Sequence, residues 1–425
     1  MSMAETELEQ VQVRFTTQQQ EYAITESAIF VPANFKRYGL SGIVNHLLGK
    51  DKPVPFDFLI NGELLRTSVA QYLAANNLST ENVISIEYVE SMLPPTPVSA
   101  FQHDDWISSV KGKHTSQLFL TGSYDSMVRL WNMSGECVAT LEGHADAVKS
   151  VAFGSITDNE AVVFSSSLDQ TVMAWTYSFL DSTYKVLYQC KGHKGAVESV
   201  AVDSSNTQFA TASADSTLRV WATRDPSEED SIEYLDTKNK KRRKTAGQDS
   251  HKIKTFSQTL NGHVGPVTSV IFDNNNSNTV YSGGWDHSVR MWDVEQQVNV
   301  TTKNCEKVVL DIAQSNQSKM IATGHGDKVI RIWDPRTDDS VAVNMTLPGH
   351  SNWVSSVSWS PNSEFTLCSG SYDSTVRIWD IRSKGSLFTI QEEDKSDKVF
   401  SVDWDGDKIL SGGEDKKLNI HQAKI

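Results

Sequence analysis

Short alternating runs fill the last three quarters of the chain. In "DSTVRIW" (373–379) Thr375 and Arg377 face one way and Val376 and Ile378 the other, the period-two pattern of a half-buried strand. The first ninety residues read differently. "VQVRF" places Val11, Val13 and Phe15 on one side, and "EYAITESAIFVP" can pair back on it as a hairpin. "YGLSGIVNHLLG" sets Leu40, Ile43, Val44, Leu47 and Leu48 at helical spacing, with Gly49 as a stop. "PFDFLINGELL" carries an Asn61-Gly62 hairpin turn, "SVAQYLAANN" begins a second helix at Ser68, and "VISIEY" alternates again through Ile84, Ile86 and Tyr88. The predicted order is β-β-α-β-β-α-β.

The alternating region is a repeat. Aspartates recur at 125, 169, 215, 286, 327, 373 and 415, with spacings of 44, 46, 71, 41, 46 and 42. Each has a hydroxyl four residues before it: Thr121, Ser165, Thr211, Ser282, Thr323, Ser369 and Ser411. Six have a tryptophan six residues after: Trp131, Trp175, Trp221, Trp292, Trp333 and Trp379; the seventh has His421. Gly-His precedes four of them, ending at His144, His193, His263 and His350, and His103 stands at that distance from Asp125. An aspartate on a turn can accept from a histidine, the histidine can bond a hydroxyl, and the hydroxyl can accept an indole N–H. Such a chain (His144, Ser165, Asp169, Trp175; again His350, Ser369, Asp373, Trp379) satisfies polar groups that burial would otherwise orphan. Recurring this often, Ser-His-Asp is a structural unit rather than a catalytic triad. The fifth unit has Asn304 where Gly-His is expected, and the seventh has "EED" and no tryptophan. Those two are expected to be held more by packing than by hydrogen bonds.

The formal net charge of −14 argues against a surface that coats nucleic acid. No apolar run is long enough to span a membrane, and "MSMAETELEQ" is unlike a secretory signal. Cys137, Cys190, Cys305 and Cys368 are far apart and read as free thiols, so no intrinsic metal is expected. No catalytic fingerprint is present, and neither an enzyme nor a small-molecule substrate is expected.

The 71-residue spacing holds about 27 extra residues, polar and charge-rich, at about 223–254, which reads as a disordered loop ahead of the strand "TFSQTL". Within it "KNKKRRK" concentrates Lys238, Lys240, Lys241, Arg242, Arg243 and Lys244, a nuclear import signal by composition. A local RNA or partner contact and a plain solvated loop are the other readings.

The repeat resembles the WD-repeat β-propeller, with units of about 42 residues. The fold this implies is an all-β seven-bladed WD-repeat propeller at 97–425, with its missing fourth strand taken from near "TPVSAF" (96–101). It is preceded by a small α+β ubiquitin-like (β-grasp) domain at 11–91 and a proline linker at 92–96, after a flexible 1–10. A head of that kind ahead of a propeller resembles the eukaryotic ribosome-assembly group that includes Notchless. The text of residues 36–68 and the seven units look closer to its seven-bladed branch, the partner of Pescadillo and the block-of-proliferation WD-repeat protein.

That resemblance implies a non-enzymatic factor for large-subunit maturation and pre-rRNA processing on the pre-60S particle, in the nucleus, nucleolus and nucleoplasm. It also implies that the AAA ATPase midasin grips the head through a metal-ion-dependent adhesion site. Mg²⁺ would belong to that partner and not to this chain, and a hard cation wants an oxygen anion. Glu81, flanked by Ser79 and Thr80, is the expected ligand, with Glu63 the competitor. On the propeller, the residues before the turn aspartates include Tyr124, Trp285 and Tyr372; with Trp106 and Trp353 they are candidates for an interface. The alternative reading is a substrate-recruiting adaptor of the ubiquitin-proteasome system.

Overall fold

A computed structural model describes residues 10–50, 52–79, 82–113, 115–226, 252–337, 345–383, 385–391 and 396–423. The chain forms two compact units, Met1–Leu93 and Pro94–Lys424.

In the first unit, strands β1 (Gln10–Thr16), β2 (Ile29–Pro32), β3 (Phe56–Ile60), β4 (Glu63–Leu64) and β5 (Ile84–Glu90) form one sheet in the order β2-β1-β5-β3-β4. Strand β5 is central, parallel to β1 and antiparallel to β3. Helices α1 (Arg37–Leu48) and α2 (Val69–Ala75) turn Leu40, Val44, Val69 and Leu73 into the same core as Phe15, Phe56, Phe58 and Tyr88. Gly49 ends α1 in the left-handed region, where a side chain would be strained. Ser68 and Gln71 make a reciprocal capping box that starts α2. Asn61 and Gly62 both have positive φ, as a two-residue turn between twisted strands requires.

Among the described residues the second unit is built of seven sheets. Their innermost strands are Ile107–Lys113, Val148–Ile156, Val197–Val202, Val267–Phe272, Val309–Gln314, Val354–Trp359 and Val399–Asp405. Each contacts the next, and the seventh contacts the first, so the ring is closed. The outer strand of the seventh sheet is Thr96–Gln102, paired with Lys417–Gln422, so the start of the unit completes its last sheet. Glycines let neighbouring sheets approach: a Cβ on Gly370 would lie 2.7 Å from Val399 Cγ1.

A second closure lies deeper. At one position of every inner strand a side-chain oxygen accepts from a backbone N–H of the neighbouring inner strand. Ser109 accepts from Val151, Ser150 from Val200, Ser199 from Val270, Ser269 from Ile312, Asp311 from Val357, Ser356 from Val402 and Ser401 from Val110. The distances run from 3.0 to 3.4 Å. Asp311, the one charged link, also accepts from the hydroxyls of Ser269 and Ser356 and from its neighbour Ile312 N–H.

One addition was not expected. After the insertion, Ile253–Lys254 joins the second sheet as a fifth strand, parallel to Gln189–Cys190, before the chain enters the outer strand of the third sheet, Gln258–Asn261.

Candidate functional site

The expected hydrogen-bond chain is complete in sheets two, three, four and six. In sheet two, His144 Nδ1 lies 2.8 Å from Asp169 and Nε2 lies 2.8 Å from Ser165 Oγ, which accepts from Trp175 Nε1 at 2.8 Å. In sheet six the same bonds, among His350, Asp373, Ser369 and Trp379, are 2.9, 2.7 and 2.8 Å. Burial opposes the charge on Asp169, but hydrogen bonds from His144, Thr171 and the Ala145 amide outweigh it and hold the carboxyl down to about 2. Burial lowers His193, His263 and His350 despite their aspartates. Ser165 and Ser369 are fully buried and already engaged by ring and indole, so no substrate can reach them as nucleophiles.

Sheets one and five depart from the pattern. In sheet one His103 Nε2 is 3.3 Å from Thr121, but Arg129 takes Asp125 at 2.6 Å and also holds Asp104 at 2.8 Å. Sheet five corrects the expectation that packing would replace hydrogen bonds. His325, only two residues beyond Thr323, turns back to place Nε2 2.7 Å from its hydroxyl, and Trp333 donates to that hydroxyl at 2.8 Å. Arg331 then pairs Asp327 through two bonds, of 2.6 and 3.0 Å. A histidine searched for only 22 to 25 residues before its aspartate is missed here, since His325 stands two residues before Asp327. In sheet seven Asp415 accepts from Asn419 at 2.7 Å.

The turn ends of the sheets carry the most distinctive surface. Trp106 meets Tyr124 edge-on at 5.7 Å, and both lie against Phe400, at 5.9 and 6.2 Å. Phe400 meets Tyr372 at 5.7 Å, and Tyr372 stacks on Trp353 at 5.9 Å. Four of the five expected interface residues are thus brought together, with Phe400 as the link between sheets one and six. Trp285 is half-exposed and, among the described residues, stands outside this ring contact. Phe400 carries none of the repeat's signature residues; it occupies the second position of its inner strand, as Lys149 and Glu198 do in theirs, and only alignment of the inner strands marks it.

Tyr124, Phe400, Tyr372 and Trp353 line a central cavity of about 780 Å³ together with Trp285, Lys149 and Glu198. Burial works against the Lys149 charge, but Glu198 at 3.4 Å and the Tyr124 hydroxyl hold it protonated. Lys398, near the Tyr372 ring, is paired with Glu414 at 2.8 Å. The local cations are neutralised, which leaves large amphipathic rings as the dominant feature. Trp106 and Trp353, about 40% exposed, are the most exposed rings of this group.

Ser79 lies in an exposed loop of the first unit, while Thr80 and Glu81 fall outside the described residues. So do Lys238, Lys240, Lys241, Arg242, Arg243 and Lys244. The ends of that insertion are held together, since Lys252 pairs Asp225 at 3.4 Å and Lys254 donates to the Arg224 carbonyl. Among the described residues no group of His, Cys, Asp and Glu could hold a metal ion, and no helix is long and apolar enough to cross a membrane.

The NLE (NUC135) domain family matches residues 11–73, and the WD domain, G-beta repeat family matches six stretches between 95 and 380. A relative from Nematostella vectensis, named ribosome biogenesis protein WDR12 homolog, is 37% identical over 98% of this chain and 100% of its own length. One from Schizosaccharomyces pombe, named ribosome biogenesis protein ytm1, is 38% identical over 97% of this chain and 96% of its own. The chain therefore belongs to the family of WD-repeat ribosome biogenesis proteins that carry an NLE domain ahead of the repeats.

Proposed function

We propose that this chain acts in maturation of the large ribosomal subunit and pre-rRNA processing as a docking factor that is later pulled off the particle. Its family is a non-enzymatic scaffold family with a role in ribosome assembly. The seven sheets are read as a seven-bladed propeller, and the β2-β1-β5-β3-β4 sheet with its two helices as a ubiquitin-like head. The propeller binds the block-of-proliferation WD-repeat protein, and through it Pescadillo on the pre-60S particle. The head is the handle for midasin, with Glu81 completing the partner's Mg²⁺ site beside Ser79 and Thr80. The basic run 238–244 directs the chain to the nucleus, where it works in nucleolus and nucleoplasm.

The observation that carries the docking part is the contiguous surface of Trp106, Tyr124, Phe400, Tyr372 and Trp353. Buried aromatic anchors dominate many interfaces, and this surface has them already packed on one another, with little side-chain entropy left to lose.

Tagged chain purified from nuclear extract is expected to bring down Pescadillo-type factors and large-subunit precursor RNA. A Trp106→Ala/Tyr372→Ala variant that folds normally is expected to lose them, and Glu81→Ala to keep them but stay on the particle. Recovery of cullins or proteasome subunits without ribosomal material would overturn the reading in favour of a ubiquitin-system adaptor.

A further inference from the structure

We infer that strand β5 is a tension strand: it carries pulling force from the loop ahead of Asn82 to the linker after Ser91 while the rest of the head stays folded and unloaded. This rests on the reading above that the loop before β5 is where the head is gripped.

The inference comes from chain order. The loop enters β5 at Ile84, and β5 ends at Glu90, directly before the linker into the second unit. Grip and exit therefore sit at the two ends of a single strand. Asn82 and Ser91 are nine residues apart; a strand rises about 3.3 Å per residue, and a fully pulled chain reaches only about 3.3–3.6 Å per residue. The loaded segment is already near its full length. Unfolding the other elements would lengthen the path between those two points by only a few ångströms, so force has almost no extension through which to do work on the core.

Among the described residues no other loop of the head has this property. Force applied at the Asn61-Gly62 turn, beside Glu63, would run in series through β4, the following loop and α2 before reaching β5, about twenty residues that can be drawn out. Force applied at β1 would run through the whole domain.

The surroundings of β5 suit the role. It has a neighbour on each side, β1 over Val13–Thr16 and β3 over Phe56–Leu59. Ile86 and Tyr88 are fully buried. At the exit, Tyr22 Oη donates to Glu90 at 2.9 Å, and the Glu90 N–H donates to Gln19 at 2.8 Å. Ser91 donates to Asp57 at 2.6 Å and accepts from Arg37 at 2.6 Å, and Arg37 pairs Asp57 at 3.0 Å. The strand end is clasped to α1 and β3, so tension leaves in register instead of peeling the strand away.

The test is single-molecule pulling of the full chain, with exposed Cys137 replaced by Ser, between the C-terminus and a covalent handle at Asn82→Cys or at Gln10→Cys. An energy-transfer dye pair on Arg14 and His46, placed by orthogonal labelling, reports whether the head is folded. Pulling from position 10 should abolish transfer together with a lengthening of about 250 Å, as some eighty residues are drawn out. Pulling from position 82 should keep transfer at forces that abolish it from position 10, also after the second unit has unravelled. Loss of transfer from position 82 at a force no higher than from position 10 would overturn the inference. The handle is chemical, so this result is independent of midasin: transfer kept at position 82, with Glu81→Ala still released normally, would support the tension strand and reject the proposed grip.

Discussion

Sheets five and six bury the same tryptophan–hydroxyl bond, and each supports it with a different histidine. In sheet six His350 comes from the loop before the inner strand and bridges Ser369 to Asp373; in sheet five His325 comes from the hydroxyl's own strand and leaves Asp327 to Arg331. The constant part is the indole N–H and its acceptor, because a buried donor without a partner is costly. The aspartate is constant for a separate, local reason. In sheet six Asp373 accepts from the Thr375 N–H two residues on, and the intervening Ser374 has positive φ. An Asx-type turn needs that carboxylate whether or not a histidine reaches it. Seven aspartates with fewer upstream histidines follow from these two separate demands.

The largest test of the comparison removes the shared element. Trp379→Ala and Trp333→Ala should each cost about 3–5 kcal/mol in chemical denaturation, since both rings are buried. A much smaller loss for Trp333→Ala would mean that sheet five is not bonded as described. Next is the histidine. His350→Ala leaves Asp373 without its ring partner and should cost about 3 kcal/mol. His325→Ala should cost about 1–2 kcal/mol, because Arg331 still holds Asp327. Equal losses would erase the distinction.

Acid should separate the regions further. Burial, aided by Arg129 and Arg331, lowers His103 and His325 to about 4. Between about 6.5 and 4 the unfolded chain binds a proton at each that the native state refuses, so stability falls as pH falls through that window. At pH 5 the loss is about 2 kcal/mol per group, and a His103→Gln/His325→Gln variant should show a correspondingly shallower decline.

The smallest effect concerns the belt of inner-strand oxygens. Burial holds Asp311 above the ordinary carboxylate range although several donors face it. Its native pKa is raised, so its contribution is favourable below the unfolded value and is lost as pH rises. Asp311→Ser, matching the other six links, should therefore stabilise at pH 7, with the gain shrinking as pH falls toward the ordinary carboxylate range. Destabilisation at pH 7 would show that the extra hydrogen bonds outweigh the buried charge.

Much of this was legible in the residues. The element order of the head follows from its periodicities, and Ser68, Gly49 and Asn61-Gly62 mark boundaries by capping and turn chemistry that needs no distant neighbour. The belt was equally visible as a recurring V-x-S-V (148–151, 197–200, 267–270, 354–357, 399–402) but passed unread, since its partners lie one sheet away. His325 was hidden because its role depends on which way a strand residue faces, and Phe400 because its ring matters only when sheets one, six and seven meet.

Residue types alone determined the repeat, its turn aspartates and the buried tryptophans with their acceptors, because these answer to local geometry and to the cost of an unpaired buried group. Tertiary structure decided which histidine serves which hydroxyl and which aromatic rings become one surface. Those outcomes depend on contacts between segments up to about three hundred residues apart, whose geometry exists only once the ring has closed.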